Sequence, residues 1–340
     1  MRQPVNMREI GAELGVSAVT VSKALAGRSG VSENMRERIV RKAQERGYRY
    51  DLAARGFKDS PGDVGILIPD HFLGAGNSFY ASLCKKLVQQ LAAHNSYGVL
   101  AILCEEDELQ GRYPAILGGS RINGLIILGQ VKPSYLRMLE TVGMNVPCIC
   151  MDFYDERANT DAVVSDGLYG SFCLTSHLIQ LEHTAIGFVG SITATSSIMD
   201  RYLGYCKSML QHGLPMDPAW IVPDRDLHGN YAEFPLPENL PTAFVCNCDQ
   251  IAITLIHRLR AMGVEVPRDV SIVGFDDYVD AMSVRPALTT FAVDQDTLAR
   301  EAAEMILAKM RDSASRKGRV VVSGHMILRD SVRDLRDTIS

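Results

Sequence analysis

The sequence predicts two structural classes in one chain: a small all-α head at the N-terminus, then a larger α/β core of two lobes. Three observations predict this. Residues 7–46 read as short helices with no strand pattern. From Val64 onward, short apolar runs alternate with helical periods, the mark of parallel strands joined by right-handed crossovers. The charge is also lopsided. Residues 1–58 carry 12 Lys and Arg against 6 Asp and Glu, a net +6, which leaves −11 for the rest of a chain whose total is −5. A basic head on an acidic body is expected where only one end meets phosphates.

The head is read from three segments. In Met7 to Leu14, Met7, Ile10, Ala12 and Leu14 supply the apolar or small positions. Gly15 can close the helix in a left-handed conformation without a Cβ clash. Ser17 is a good N-cap for a second helix, Ala18 to Leu25, with Val21, Ala24 and Leu25 inward. This is a helix-turn-helix, whose second helix enters the DNA major groove. An ordinary helical hairpin is the plain alternative. A third helix is predicted over Ser32 to Arg46, with Ile39, Val40 and Ala43 inward and Gly47 at its end.

At 340 residues, 46% hydrophobic and 22% charged, the chain is long enough for more than one globular domain. No run approaches the ~20 apolar residues of a membrane span. The start, MRQPVNMREI, lacks the apolar core of a signal peptide, so a cytoplasmic protein is expected. All 8 Cys lie outside the head. Cys148/Cys150 and Cys246/Cys248 form two C-x-C pairs that allow a metal reading. Their flanks look like strand ends, which favours small buried thiols in a reducing compartment. No Walker loop, dinucleotide fingerprint, zinc-protease motif or nucleophile elbow is present. Gly118 to Gly124 is Gly-rich but misses the dinucleotide spacing. No catalytic residue, metal or cofactor is therefore expected, and the chain is not read as an enzyme.

The wording of the head is specific. GVSAVTVSKALAG from Gly15, VSENMRERI from Val31 and ERGYRY from Glu45 strongly resemble the N-terminal domain of lactose-repressor-type (LacI/GalR) transcription regulators. The resemblance implies that Ala18, Val19 and Lys23 face base edges. Ala and Val can meet thymine methyls, and Lys can donate to guanine. Ser17, Thr20, Ser22 and Ser32 would bind phosphates and fix the register, although capping and packing also suit them. In the family the following segment is a hinge helix that pushes an apolar wedge into the minor groove, here Phe57. Tyr50 and Asp51 replace the usual Pro-Asn, and Gly56 weakens a helix by about 1 kcal/mol relative to Ala. A flexible linker stays open as the alternative.

The core is expected to begin with strands at Val64 to Pro69, Val99 to Leu103, Gly124 to Leu128 and Pro147 to Met151. Between them fall helices at about Phe79 to His94, Glu106 to Leu117 and Ser134 to Val142. A second run has strands at Ala162 to Val164, Ile186 to Val189, near Ile221, Ala243 to Cys246 and Val270 to Phe275. Its helices are Tyr169 to Gln180, Tyr202 to His212 and Ile251 to Met262. Leu288 to Val293 and the helix Thr297 to Arg311 are expected to return to the first lobe. Val320 to Ser323 and Met326 to Leu328 would finish the sheets. The resemblance matches this to the family's periplasmic-binding-protein-like core. The expected domains are 1–49 for the head, 50–61 for the linker and 62–340 for the core. Lobe 1 would take about 62–160 and 290–322, and lobe 2 about 161–289 and 323–340.

In open α/β lobes ligands bind outside the carboxyl ends of strands, here between the lobes. The family motifs continue in Val270 to Asp277, Pro286 to Thr290, and Arg201 with Gly204 and Tyr205. They imply Arg201 and Asp276 as effector contacts, a guanidinium fork and a carboxylate suited to a polyhydroxylated ligand. Phe79 and Tyr80 are stacking candidates or core aromatics. Asp166 is a further acceptor or merely an N-cap. Cys248 occupies the position where the family usually has Asn, so a weak donor replaces an amide; either Asn247 substitutes through a local shift or the ligand differs in one polar contact. Leu227 or His228 are candidates for a lid residue.

The reading is a sequence-specific regulator, a repressor, acting as a homodimer on a pseudo-palindromic operator. A small effector, a sugar or sugar derivative, would bind between the lobes. A purine or other metabolite is the alternative effector. The 11 residues after Arg329 carry no apolar heptad, so no tetramerisation helix is expected. A solute-binding protein and a sugar-acting enzyme are rivals from other classes.

Overall fold

The computed structural model describes residues 7–25, 30–46, 61–74, 79–118, 122–142, 144, 146–226, 229–277 and 284–336. Two compact units divide the chain at Ser60. The expected linker, with Tyr50, Asp51, Gly56 and the wedge residue Phe57, lies outside the described residues, as do Leu227 and His228.

In the head, α1 is Met7–Leu14, α2 is Ala18–Leu25 and α3 is Glu33–Glu45. Gly15 has φ +68°, which only glycine adopts without strain. The Ser17 hydroxyl accepts from the Thr20 amide at 3.1 Å and so starts α2. Arg36 donates to the Ala24 carbonyl at 3.0 Å, satisfying one orphan group at the end of α2. Ile10, Val21, Ala24, Ile39 and Ala43 form the core, with Leu14, Val16 and Leu25 packed round it. Val40, expected inward, is only half-buried. Glu13 bonds Arg46 and lies 3.2 Å from Lys42, which ties α1 to α3.

The second unit contains two six-stranded sheets. In chain order its first part is β1 (Asp63–Pro69), α4 (Phe79–Ala93), β2 (Gly98–Leu103), α5 (Glu105–Gln110), β3 (Ile122–Leu128), α6 (Pro133–Val142), β4 (Cys148–Met151) and β5 (Asp161–Ser165). Its second part is α7 (Gly167–Gln180), β6 (Ile186–Val189), α8 (Ser196–Gln211), β7 (Ile221–Val222), β8 (Ala243–Cys246), α9 (Asp249–Ala261), β9 (Ser271–Asp276) and β10 (Thr289–Ala292). The chain then forms α10 (Gln295–Arg311), β11 (Arg319–Val322) and β12 (His325–Ile327). The first sheet has the order β11-β5-β4-β3-β1-β2, and the second β12-β10-β9-β8-β6-β7. Among the described residues only the β10–β12 ladder is antiparallel.

Two lobe assignments from the sequence are corrected by the pairing. Asp161–Ser165 hydrogen-bonds between β4 and β11, so it belongs to the first sheet, not the second. Thr289–Ala292 pairs with β9 and β12 in the second sheet, and the chain returns to the first lobe only with α10. Sheet membership is decided by ladder partners far away in sequence, which an apolar run does not specify. The helix expected over Glu106 to Leu117 stops at Gln110. Gly111 takes φ +62° and caps it, and Pro114 follows. The helix expected from Tyr202 starts at Ser196, because the Thr195 hydroxyl accepts from the Ile198 amide at 3.1 Å.

α4 and α10 cover one face of the first sheet, where Leu83, Leu87, Leu298 and Ile306 meet Ile66 and Ile126. α6 covers the other with Tyr135, Leu136 and Leu139. In the second sheet α9 packs on one face. α7 and α8 pack on the other. Gly204 lets α8 approach α7 closely, since a Cβ there would collide with the Leu168 carbonyl. β2 is an edge strand and leaves Val99, Leu100 and Ile102 exposed. Among the described residues no helix is long and apolar enough to cross a membrane.

Candidate functional site

Residues that follow strand ends in both sheets converge on one cleft. His71 and Phe72 follow β1, Asp152 follows β4, Arg225 follows β7, Asn247 and Cys248 follow β8, and Asp276 ends β9. They line a cavity of about 360 Å³. It shares His71, Phe72, Thr195 and Arg225 with an outer chamber of about 950 Å³. Both volumes lie in the range of small-molecule sites.

Arg201 projects from the second turn of α8. It bonds the Asp276 carboxylate at 3.0 Å and donates to the Asn247 carbonyl. Its guanidinium lies 3.9 Å from the centre of the Phe275 ring. Burial pushes Asp276 up to about 7, and the nearby Asp152 adds to this, against the pull of Arg201. Asp152 is buried and raised for the same reason. It accepts from the Tyr80 hydroxyl at 2.7 Å. Asp152 and Asp276 both take left-handed φ, +64° and +109°, which costs free energy and is common at ligand clamps.

The opposite wall is built by the segment after β7. Arg225 lies 4.4 Å from the centre of the Tyr231 ring. Tyr231 in turn reaches the Cys248 sulfur at 3.8 Å. Burial holds the Cys248 thiol up to about 12, so it stays protonated and is a weak partner at most. The Asn247 amide nitrogen donates to the Val189 carbonyl and to Asp224, both at 2.9 Å.

Among the described residues, four of the six buried side-chain atoms lacking a hydrogen-bond partner belong to residues lining this cavity: Asp152 Oδ1, Asn247 Oδ1, Arg201 Nε and Arg225 Nε. Two accept and two donate. An unmet buried polar group costs about 1–3 kcal/mol. The wall is thus arranged for a ligand that carries both donors and acceptors.

Of the residues expected from sequence, Phe79, Tyr80, Arg201, Cys248 and Asp276 meet at the cavity. Asp166 is absent from its lining, and its carboxylate caps α7 by accepting from the Tyr169 amide at 3.1 Å. Sequence reasoning missed Asp152, Arg225 and Tyr231, and Asn247, the alternative to Cys248, also lines the cavity. For Asp152 a signal existed, since it follows directly on β4 much as Asp276 ends β9. The C-x-C cysteines are buried thiols on or beside β4 and β8.

In the head, Val19 is 64% exposed and Lys23 is exposed, while Val21 and Ala24 on the same helix are buried. Ala18, Thr20 and Ser22 are half-buried, and Ser17 and Ser32 exposed. Besides capping α2, the Ser17 hydroxyl lies 2.9 Å from that of Thr20. The Ser32 carbonyl accepts from the Arg36 amide at 2.9 Å, at the start of α3.

Residues 175–332 match the family model described as a periplasmic binding protein-like domain. The chain is 25% identical to the HTH-type transcriptional repressor PurR of Vibrio parahaemolyticus serotype O3:K6, over 97% of this chain and 99% of that one. It is 25% identical to the ribose operon repressor of Haemophilus influenzae, with the same coverage. The lac repressor dimer bound to operator and an anti-inducer has the same fold, with a TM-score of 0.70 at 20% identity over 97% of this chain and 99% of that one. Relatives matched from end to end are thus transcriptional regulators rather than enzymes. From end to end the chain is thus similar to HTH-type transcriptional repressors, its core carries a periplasmic binding protein-like domain, and its fold is that of the lac repressor.

Proposed function

We propose that this regulator is a cytoplasmic homodimeric repressor whose affinity for a pseudo-palindromic operator is set by a small polar effector, a sugar or sugar derivative, held in the cleft. The observation that carries the effector reading is the cluster of four unpartnered polar atoms around the buried Arg201–Asp276 pair. In this reading Arg201, Asp276, Asp152 and Asn247 bind hydroxyls, and Phe79 and Tyr80 shape the apolar side. The ribose repressor among the relatives supports a carbohydrate. The effector acts through different affinity for two states of the protein.

In the same reading Ala18, Val19 and Lys23 read bases, Ser17, Thr20, Ser22 and Ser32 bind phosphates, and Phe57 is the minor-groove wedge. One head contacts few phosphates, so two are needed. The exposed apolar edge of β2 supports docking of a second copy. A nucleobase is the second reading, favoured by the PurR relatives and by the Phe72 and Tyr80 rings 4.3 Å apart at the cavity.

The test is thermal-shift screening of the full-length protein against sugars, sugar phosphates, nucleosides and nucleobases. A ligand at 100 times its dissociation constant stabilises by about 2.7 kcal/mol. A sugar hit that disappears in Arg201→Ala supports the first reading, and a nucleobase hit replaces it with the second. No hit in any class removes the effector from both.

A further inference from the structure

We propose that the effector carries a compact anionic group, a phosphate ester or a carboxylate, and that Arg225 receives it at the neck between the inner cavity and the outer chamber. This rests on the effector reading above and narrows it.

Arg225 lines both chambers. Its side chain is only 9% exposed. The Tyr231 ring supports one face of the guanidinium, and Nη1 donates to the Gly229 carbonyl at 3.2 Å. Its ion pair is looser than that of Arg201. Asp224 is adjacent, yet its Oδ2 lies 3.6 Å from Arg225 Nε, too far for a hydrogen bond. Both Asp224 oxygens are already engaged, Oδ1 by the Ser191 amide at 2.7 Å and Oδ2 by the Asn247 side chain at 2.9 Å. Nε is left buried without a hydrogen-bond partner among the described residues.

The first lobe adds basic groups at the same place. His71 lines both chambers and Lys132 the outer one. Burial and the charges of Arg225 and Lys132 hold the His71 imidazole below its usual range, so it sits within the field of both cations. Acidic groups face the outer chamber as well. Glu156 and Asp226 are exposed to solvent, and Asp155 is paired with Arg157. Glu108 accepts from the Lys132 amide at 2.6 Å, and burial raises its carboxyl toward the neutral form. A hydroxyl offers a guanidinium one neutral acceptor. A carboxylate or phosphate offers two at fork spacing together with the charge.

The experiment is calorimetric titration of the full-length protein with matched probes: glucose, galactose and ribose; glucose 6-phosphate, galactose 6-phosphate and ribose 5-phosphate; glucuronate, galacturonate and gluconate. The expected result is that at least one anionic probe binds tenfold or more tightly than its neutral parent. Arg225→Gln should abolish that preference, and Arg225→Lys should keep part of it. Preference confined to the phosphates, or to the acids, identifies the group. A ligand-free melt of each variant confirms folding. Equal or tighter binding of the neutral parent overturns the inference, as does a preference that survives in Arg225→Gln. No binding by any anionic probe overturns it too. A neutral sugar or nucleobase that still binds leaves the broader effector reading standing.

Discussion

Two arginine–aspartate neighbours in the second lobe are built in opposite ways. Arg201 and Asp276 stand 75 positions apart and bond at 3.0 Å, and the fold brings them together from α8 and the end of β9. Arg225 and Asp224 are adjacent, yet stay 3.6 Å apart because Asp224 is spent on Ser191 and Asn247. The first pair is joined directly by a hydrogen bond. The second is a looser ion pair whose cation lines the cleft and keeps Nε without a hydrogen bond among the described residues. Adjacency in sequence is therefore no guide to which pair bonds directly.

The largest test of this contrast removes one partner of the bonded pair. Arg201→Met leaves Asp276 buried without its cation and the Asn247 carbonyl without its donor. Breaking a buried pair in this way costs about 3–5 kcal/mol. Urea melts at one fixed protein concentration read this directly. A loss under about 1 kcal/mol would mean that the two pairs do not differ as described.

A second test uses pH. Burial raises Asp276 from 3.8 to about 7 in the folded chain. The folded state then holds a proton that the unfolded chain gives up at lower pH. The stability this contributes is complete below about pH 3.8 and is lost as pH rises through about 7. Asp276→Asn removes the dependence. The stability of the wild type minus that of the variant should fall between pH 4 and pH 7. Asp152 is pushed the same way and interacts with Asp276, so the same comparison in an Asp152→Asn background isolates the Asp276 part. A flat difference would show that Arg201 keeps Asp276 ionised throughout.

The contrast also explains what the sequence could disclose. The head was legible because its signals are local: Gly15 at positive φ, the Ser17 cap and the Val21–Ala24 face all fall within a few turns. The strands were legible as short apolar runs bounded by turn residues. Which sheet β5 and β10 join was not, because register depends on partners such as β11 and β12 far along the chain. Arg201 and Asp276 were reached through the family motifs. Asp152 was open to the strand-end rule and was passed over. Arg225 and Tyr231 lie between β7 and β8 in a stretch with no period, and their meeting shows only in the fold, as an isolated bridge and a ring contact.

The smallest expected effect comes from the looser pair. Arg225→Gln removes a guanidinium that makes a ring contact with Tyr231 and one hydrogen bond to Gly229, but no hydrogen bond to Asp224. Those contacts are worth about 1 kcal/mol together, and the buried Nε that goes with them was unsatisfied and costly. Asp224 keeps both of its hydrogen-bond donors and loses only a cation 3.6 Å away. The urea midpoint should move by less than a third of the shift seen in Arg201→Met, at an unchanged slope. If Arg225→Gln instead costs as much as Arg201→Met, Arg225 is a structural cation held by Asp224 across 3.6 Å, and its fork is not reserved for a ligand.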